Sequence, residues 1–307
     1  MNQLYSYRIE LLLVTALLLA IGFFGYLGYG LIYTTPSFSS EQAMTFVRYQ
    51  LDQGPRVTGS EESTRISDWL TQELVDPDWR ILIQPFTLPN GISARNIIAV
   101  YSHTDPTAPV ALLGAHYDTR LFADADVTEA NRDDPPLGAN NNASGVAVLL
   151  ELARTLELEQ SGHTVCIVFF DADDNSGIQG WEGYWGSRFF TQNVAESIPA
   201  CANPSFVALI DTIGYAGETL SFLSENAALR TALLQVAGEL GLDGKFHAEI
   251  GSVPSPLQGL NTPFVTITNT TYPHRNTLQD TLDKVSQENL RAVGKVLETW
   301  LEAGAPF

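Results

Sequence analysis

His116 closes an apolar run, residues 110–113, followed by Gly114 and Ala115, and Asp118 stands two residues further on. A run of that length reads as a buried strand. In a parallel α/β sheet, groups at the carboxyl end of a strand face the crevice where ligands bind. An imidazole there serves as a metal ligand, and a carboxylate that fixes its tautomer is the usual companion; Asp118 is placed for that role. The arrangement recurs. The apolar run 163–170 discharges into Asp171-Ala172-Asp173-Asp174, and residues 206–210 discharge into Asp211. Three carboxylates in four positions after a buried strand point to a metal or general acid–base site rather than to an acidic turn.

The elements that must position these groups follow from the pattern. A helix is expected from Ser39, with Ser40 as its cap and Ala43, Phe46, Val47 and Leu51 as its apolar stripe, ending at the Gly54-Pro55-Arg56 break. A second helix covers 61–74. Strands are expected at 80–86, 96–101, 110–113, 163–170, 206–210 and 263–268. Helices are expected at 146–156, 187–193, 227–241 and 286–301. Residues 119–138 are polar, acidic and without period, and read as a long loop over the site. The small-residue turn Gly138-Ala139-Asn140-Asn141-Asn142-Ala143-Ser144-Gly145 opens the helix at 146, so a helix N-terminus adds positive dipole near the crevice. Strands alternating with helices predict an open, mostly parallel sheet sandwiched by helices. The segment Trp181-Glu182-Gly183-Tyr184-Trp185 either lines a groove or packs under the sheet edge.

Composition narrows the class. The 307 residues suffice for one large α/β domain. A net charge of −19 with 16 Lys and Arg argues against nucleic acid and against anionic headgroups as partners. Residues 11–33 are almost wholly apolar, long enough for a single-pass transmembrane helix. Arg8 precedes the run and no basic residue follows until Arg48, which places residues 1–10 in the cytoplasm and the main domain outside the membrane. Cys166 and Cys201 allow one disulfide or two buried thiols. Asn142 and Asn269 open glycosylation sequons.

The ordered motifs Gly114-Ala115-His116-Tyr117-Asp118-Thr119, Gly138-Ala139 to Ala143-Ser144-Gly145, Phe169-Phe170-Asp171 with Asp173-Asp174, and Ile210-Asp211 with Ile213-Gly214 resemble the family of double-zinc aminopeptidases, glutamate carboxypeptidases and glutaminyl cyclases. Gly186-Ser187-Arg188 and Asp280-Thr281 with Asp283-Lys284-Val285 add to the likeness, which runs from about Gly54 to the end of the chain. The resemblance implies a zinc-exopeptidase (phosphorylase/hydrolase-like) domain over 54–307, after a linker and first helix at 34–53. It implies zinc ligands at His116, Asp174 and Asp211 and at the positions of Asn141 and Asn276, with Asp173 as the general base that deprotonates a metal-bound water.

The sequence departs from that pattern where charge matters most. Asn141 holds the place of the bridging Asp, Asn276 that of the late His, and Asp173 is one methylene shorter than the family's Glu. Two divalent cations about 3.5–4 Å apart need a bridging carboxylate to offset their repulsion, and a neutral amide is not a usual zinc ligand. His274 compensates only if its loop is rebuilt, because a strand spacing of two residues displaces it by about 6–7 Å. His247 is a weaker substitute. One zinc ion or none is therefore expected, not two, and a single-zinc glutaminyl cyclase would need the positions now held by Asn141, Asp174 and Asn276. The expected function is a membrane-anchored, extracytoplasmic relative with an eroded metal site and weak or absent exopeptidase activity. The alternatives are an active single-metal aminopeptidase and a non-catalytic domain that binds peptide N-termini or a protein partner.

Overall fold

The computed structural model describes residues 2–32 and 36–307, the side chains of residues 2–10 and 27–32 excepted. The chain divides into two compact units, Met1–Pro36 and Ser37–Phe307. The first contains helix α1 (Asn2–Ile32). Tyr33, the last residue of the expected transmembrane run, lies outside the described residues. Among the described residues no helix is long and apolar enough to cross a membrane.

The second unit runs α2 (Ser40–Asp52), α3 (Glu61–Glu73), β1 (Arg80–Thr87), β2 (Ser93–Tyr101), β3 (Val110–His116), α4 (Ser144–Thr155), α5 (Leu158–Ser161), β4 (Thr164–Phe170), α6 (Trp185–Ser197), β5 (Phe206–Asp211), β6 (Leu220–Leu223), α7 (Ala227–Glu239), β7 (Phe246–Glu249), β8 (Phe264–Thr268) and α8 (Gln287–Glu302). Helix α2, the first helix expected in 34–53, packs into the main core through Ala43, Met44, Phe46 and Val47. Its cap is Ser39, whose side chain accepts from the Gln42 N–H, and not Ser40.

The eight strands form one sheet in the order β1-β2-β4-β3-β5-β8-β6-β7. The central four, β4-β3-β5-β8, are parallel, whereas β1–β2, β2–β4 and β6–β8 pair antiparallel. The sheet is thus mixed, with its parallel part in the middle where the site lies. The four-residue strands β6 and β7 at one edge were not expected; so short a run gives no readable period.

Both sheet faces are covered, which explains why the central strands read as continuous apolar runs. On β4, Val165, Ile167 and Phe169 enter the larger core with α2, α4, α7 and α8, while Cys166, Val168 and Phe170 face α6 on the other side. Cys166 and Cys201 form a buried disulfide across this second face, with Cα atoms 6.0 Å apart. Helix α8 buries Leu290, Val293, Val296, Leu297, Trp300 and Leu301, an apolar stripe at helical spacing. The first turn of α4 lies directly against β5. A Cβ at Gly145 would meet the Ile210 carbonyl at 2.5 Å, so only glycine allows that approach. Asn142 and Asn269, which open the two sequons, are both buried.

Candidate functional site

Strand β3 extends to His116 itself, so the imidazole stands at the sheet edge rather than in the turn beyond it. Its parallel neighbours deliver their carboxylates to the same edge: β4 leads into Asp171, Asp173 and Asp174, and β5 ends on Asp211. The turn before α4 brings in Asn141, and the loop after β8 brings in Arg275 and Asn276. The ends of β3, β4 and β5 and the loop after β8 thus line a cleft of about 220 Å³, with His116, Asp173, Asp174, Asp211, Arg275 and Asn276 among its lining residues. Leu209, Val253 and Pro254 form an apolar wall, and Tyr184 and Arg120 stand at the side.

The His116 ring is held at both nitrogens. Nδ1 lies 3.1 Å from the Asp118 carbonyl and 3.3 Å from Asp118 Oδ1, and Nε2 lies 3.6 Å from Asp211 Oδ1. Burial disfavours the imidazolium, yet Asp118, Asp211 and the charge of Asp174 outweigh it and raise the ring's pKa well above the ordinary value. The other oxygen of Asp118 accepts the Asp174 N–H at 3.0 Å, tying the β3 and β4 ends together.

Asp211 has a second partner that composition alone does not suggest. Arg275 Nη2 donates to Asp211 Oδ2 at 3.0 Å and also to the Thr212 hydroxyl, which in turn donates to Asp211 Oδ1 at 2.9 Å. Burial pushes the Asp211 carboxyl up, but the Arg275 guanidinium and the His116 ring hold it well below the usual carboxylate range. Asp174 meets an amide instead. Asn141 Nδ2 donates to its two oxygens at 3.2 and 3.0 Å, and also reaches Asn276 Oδ1 at 3.4 Å. Burial raises Asp174 to about 6 despite the positive charges of His116 and Arg275. Burial and the neighbouring Asp118 charge raise Asp173 to about 7, against a hydrogen bond from the Ser187 N–H.

The supporting frame is as specific as the floor. Asp280 accepts the backbone N–H groups of Asn140 and Asn141 at 2.8 and 3.0 Å and the Tyr272 hydroxyl at 2.7 Å, which fixes the turn carrying Asn141. Arg56, fully buried, donates to the carbonyls of Tyr117, Leu137 and Gly138 at 2.7–2.9 Å. Burial lowers its pKa to about 10. The 119–138 loop is pinned to the Asn276 segment: the Ala125 N–H donates to the Asn276 carbonyl, and Asp126 accepts the Leu278 N–H at 3.0 Å.

The profile of peptidase family M28 matches residues 96–301 of the sequence. The chain belongs to peptidase family M28. Among solved M28-like structures, a glutaminyl cyclase of Tannerella forsythia superposes with a TM-score of 0.76 at 29% identity, covering 87% of this chain and 99% of that one. A leucine aminopeptidase precursor of Bacteroides thetaiotaomicron gives 0.76 at 27% identity, with coverages of 89% and 98%. An uncharacterised protein of Escherichia coli is 31% identical over 144 residues, 46% of this chain and 42% of its own length. The chain spans less than half the length of the curated relatives it matches first.

Read as an M28 site, the convergence includes His116, Asp118, Asn141, Asp173, Asp174, Asp211 and Asn276, all named from the sequence. His274 lies apart from the cleft floor, its ring packed on Tyr215 and Tyr272 with centroids 5.9 and 5.6 Å away. His247 sits on edge strand β7, with Nε2 2.9 Å from Ser221 Oγ. Of the aromatic segment, Tyr184 lines the cleft while Trp181 is buried beside Phe86. Arg275, Arg120 and Arg56 were given no role from the sequence. A cation directly before Asn276, where the family carries an imidazole, was the available signal for Arg275. Among the described residues no group of three or more His, Cys, Asp or Glu side chains is arranged to hold a metal ion.

Proposed function

We propose that this chain is a membrane-anchored, extracytoplasmic M28 domain whose metal centre is eroded, so that its cleft binds peptide ends and retains weak or absent exopeptidase turnover. The observation that carries the reading is the pair of N–H donors facing the two carboxylates of the former centre. Arg275 Nη2 lies 3.0 Å from Asp211 Oδ2, and Asn141 Nδ2 lies 3.0 and 3.2 Å from the Asp174 oxygens. A guanidinium has no lone pair to offer a metal, and an amide nitrogen is a donor only. Structural zinc takes four protein ligands and catalytic zinc about three plus water. The His116–Asp211 half supplies two donors and a competing cation; the Asp174 half supplies one carboxylate and two asparagines. These residues do not fit a zinc pair.

What remains is a polar cleft at the end of a rigid sheet, with one apolar wall and charges of both signs. Binding uses such a site without further parts. Anchoring is supported by the apolar run beginning at Leu11 and by the exposure of its large side chains, Leu12 at 70% and Phe24 at 69%. The basic residue before the run supports the orientation. The Cys166–Cys201 disulfide supports an oxidising compartment for the domain.

The test is metal analysis of the full chain purified in detergent without added chelator, with aminopeptidase and glutaminyl-cyclase assays on the same sample. Substoichiometric zinc, unchanged after zinc incubation and desalting, is expected. Two bound zinc ions with chelator-sensitive turnover would refute the reading.

A further inference from the structure

We propose that the cleft takes a small zwitterion, a free α-amino acid with an apolar side chain, its ammonium on Asp173 and its carboxylate on Arg275. The inference rests on the reading that the cleft holds no metal pair, and narrows a peptide end to a single residue.

A carboxyl and a guanidinium face the cleft with bonding capacity left over. Asp173 is only 8% exposed, and its Oδ1 accepts the Ser187 N–H at 3.0 Å. Its Oδ2 accepts no hydrogen bond among the described residues, yet the side chain lines the cleft. Arg275 commits Nη2 to Asp211 and Thr212, while Nε and Nη1 donate to nothing among the described residues. Every other charge on the lining is already engaged. Arg120 forks onto Asp124 and donates to the carbonyls of Asp174 and Ser176. Asp174 is held by Asn141, and His116 lies between Asp118 and Asp211.

A ligand with a single charge uses only one of the two, leaving either Asp173 Oδ2 or the free Arg275 N–H groups without a partner from the ligand. A zwitterion meets both. Size points the same way, since about 220 Å³ lies below the roughly 300 Å³ at which drug-sized pockets begin. An amino end of a longer peptide carries no carboxylate one residue away, and a carboxyl end carries no ammonium there. Leu209, Val253 and Pro254 then receive an aliphatic side chain rather than a polar one.

Isothermal titration of the full chain in detergent, in the presence of EDTA at neutral pH, tests this with L-leucine, leucinamide and N-acetyl-leucine. Leucine is expected to bind saturably, and each blocked analogue about tenfold more weakly or worse, because each loses one charge-assisted pair. Arg275→Gln should abolish the preference for leucine over leucinamide, and Asp173→Asn the preference for leucine over N-acetyl-leucine. The three ligands on the unmutated chain decide the matter even if a variant fails to fold. Leucinamide or N-acetyl-leucine binding as tightly as leucine overturns the proposal, as does the absence of saturable binding for leucine, valine and methionine alike. In a metal-poor chain those results leave the eroded centre standing; stoichiometric zinc before EDTA treatment overturns both.

Discussion

Replacing Arg275 by Gln removes the guanidinium from Asp211 and leaves an uncharged polar side chain two bonds shorter. Breaking a fully buried ion pair by deleting one partner costs about 3–5 kcal/mol, and exposed pairs are worth about 0–1 kcal/mol. Here the Asp211 side chain is 12% exposed and that of Arg275 39%. Solvent therefore screens one partner, and the expected loss lies between those limits, about 1–3 kcal/mol. For a unit of this size that corresponds to roughly 2–10 °C in melting temperature. The pH dependence makes the reasoning specific. Asp211 is depressed in the folded chain, so its pairing stabilises above the unfolded carboxylate value near about 4 and is lost as pH falls towards the folded value. The difference between parent and variant should narrow in part around pH 6, where Asp174, which Arg275 also stabilises as the carboxylate, takes up its proton, hold its Asp211 share to about 5, and close below about 4. Asp171 and Asp173, both raised to about 7, destabilise the folded chain as pH rises, but they are common to both proteins and largely cancel in the comparison. Urea unfolding in EDTA at several pH values measures it. A variant as stable as the parent at neutral pH, or a loss that does not change down to the acid limit, refutes the role assigned to Arg275.

Asn141→Asp places a carboxylate where the amide now donates to Asp174 at 3.0 and 3.2 Å. It should cost about 1–3 kcal/mol while both carboxyls are ionised and recover as pH falls, starting above the parent's Asp174 value of about 6, because the amide that lowers Asp174 is gone and the two carboxyls share a proton. Added zinc should raise the melting temperature of this variant and leave the parent unmoved; equal melting temperatures in EDTA would contradict the amide's assigned part. The Cys166–Cys201 disulfide, with a separation of 35 residues, should contribute about 3–4 kcal/mol. A thiol count on denatured, unreduced protein is expected to be zero, and two free thiols would remove the bond from the account.

Most of the fold was legible because its signals are local. Strand β4 announces itself by an apolar run buried on both faces, and α8 by a stripe at helical spacing. The mixed character of the sheet was not legible. The antiparallel joins β2–β4 and β6–β8 depend on which distant strands meet, and β6 and β7 are too short to carry a period. The disulfide stayed open for the same reason, since spacing along the chain does not say that Cys166 and Cys201 come within bridging distance.

By itself the sequence determined the inventory: a histidine and carboxylates at the ends of buried strands, two asparagines where charged or imidazole ligands belong, and the M28 motif order that names the family. Those are properties of residue type and order, which the chain carries before it folds. Only the tertiary structure decided what replaces the missing ligands. Arg275 reaches Asp211 because the loop after β8 returns over the β5 end, and Asn141 reaches Asp174 because Asp280 holds its turn from 139 residues away. Hydrogen bonds and charge compensation act over a few ångströms in space. Sequence separation is no guide to which donor arrives there.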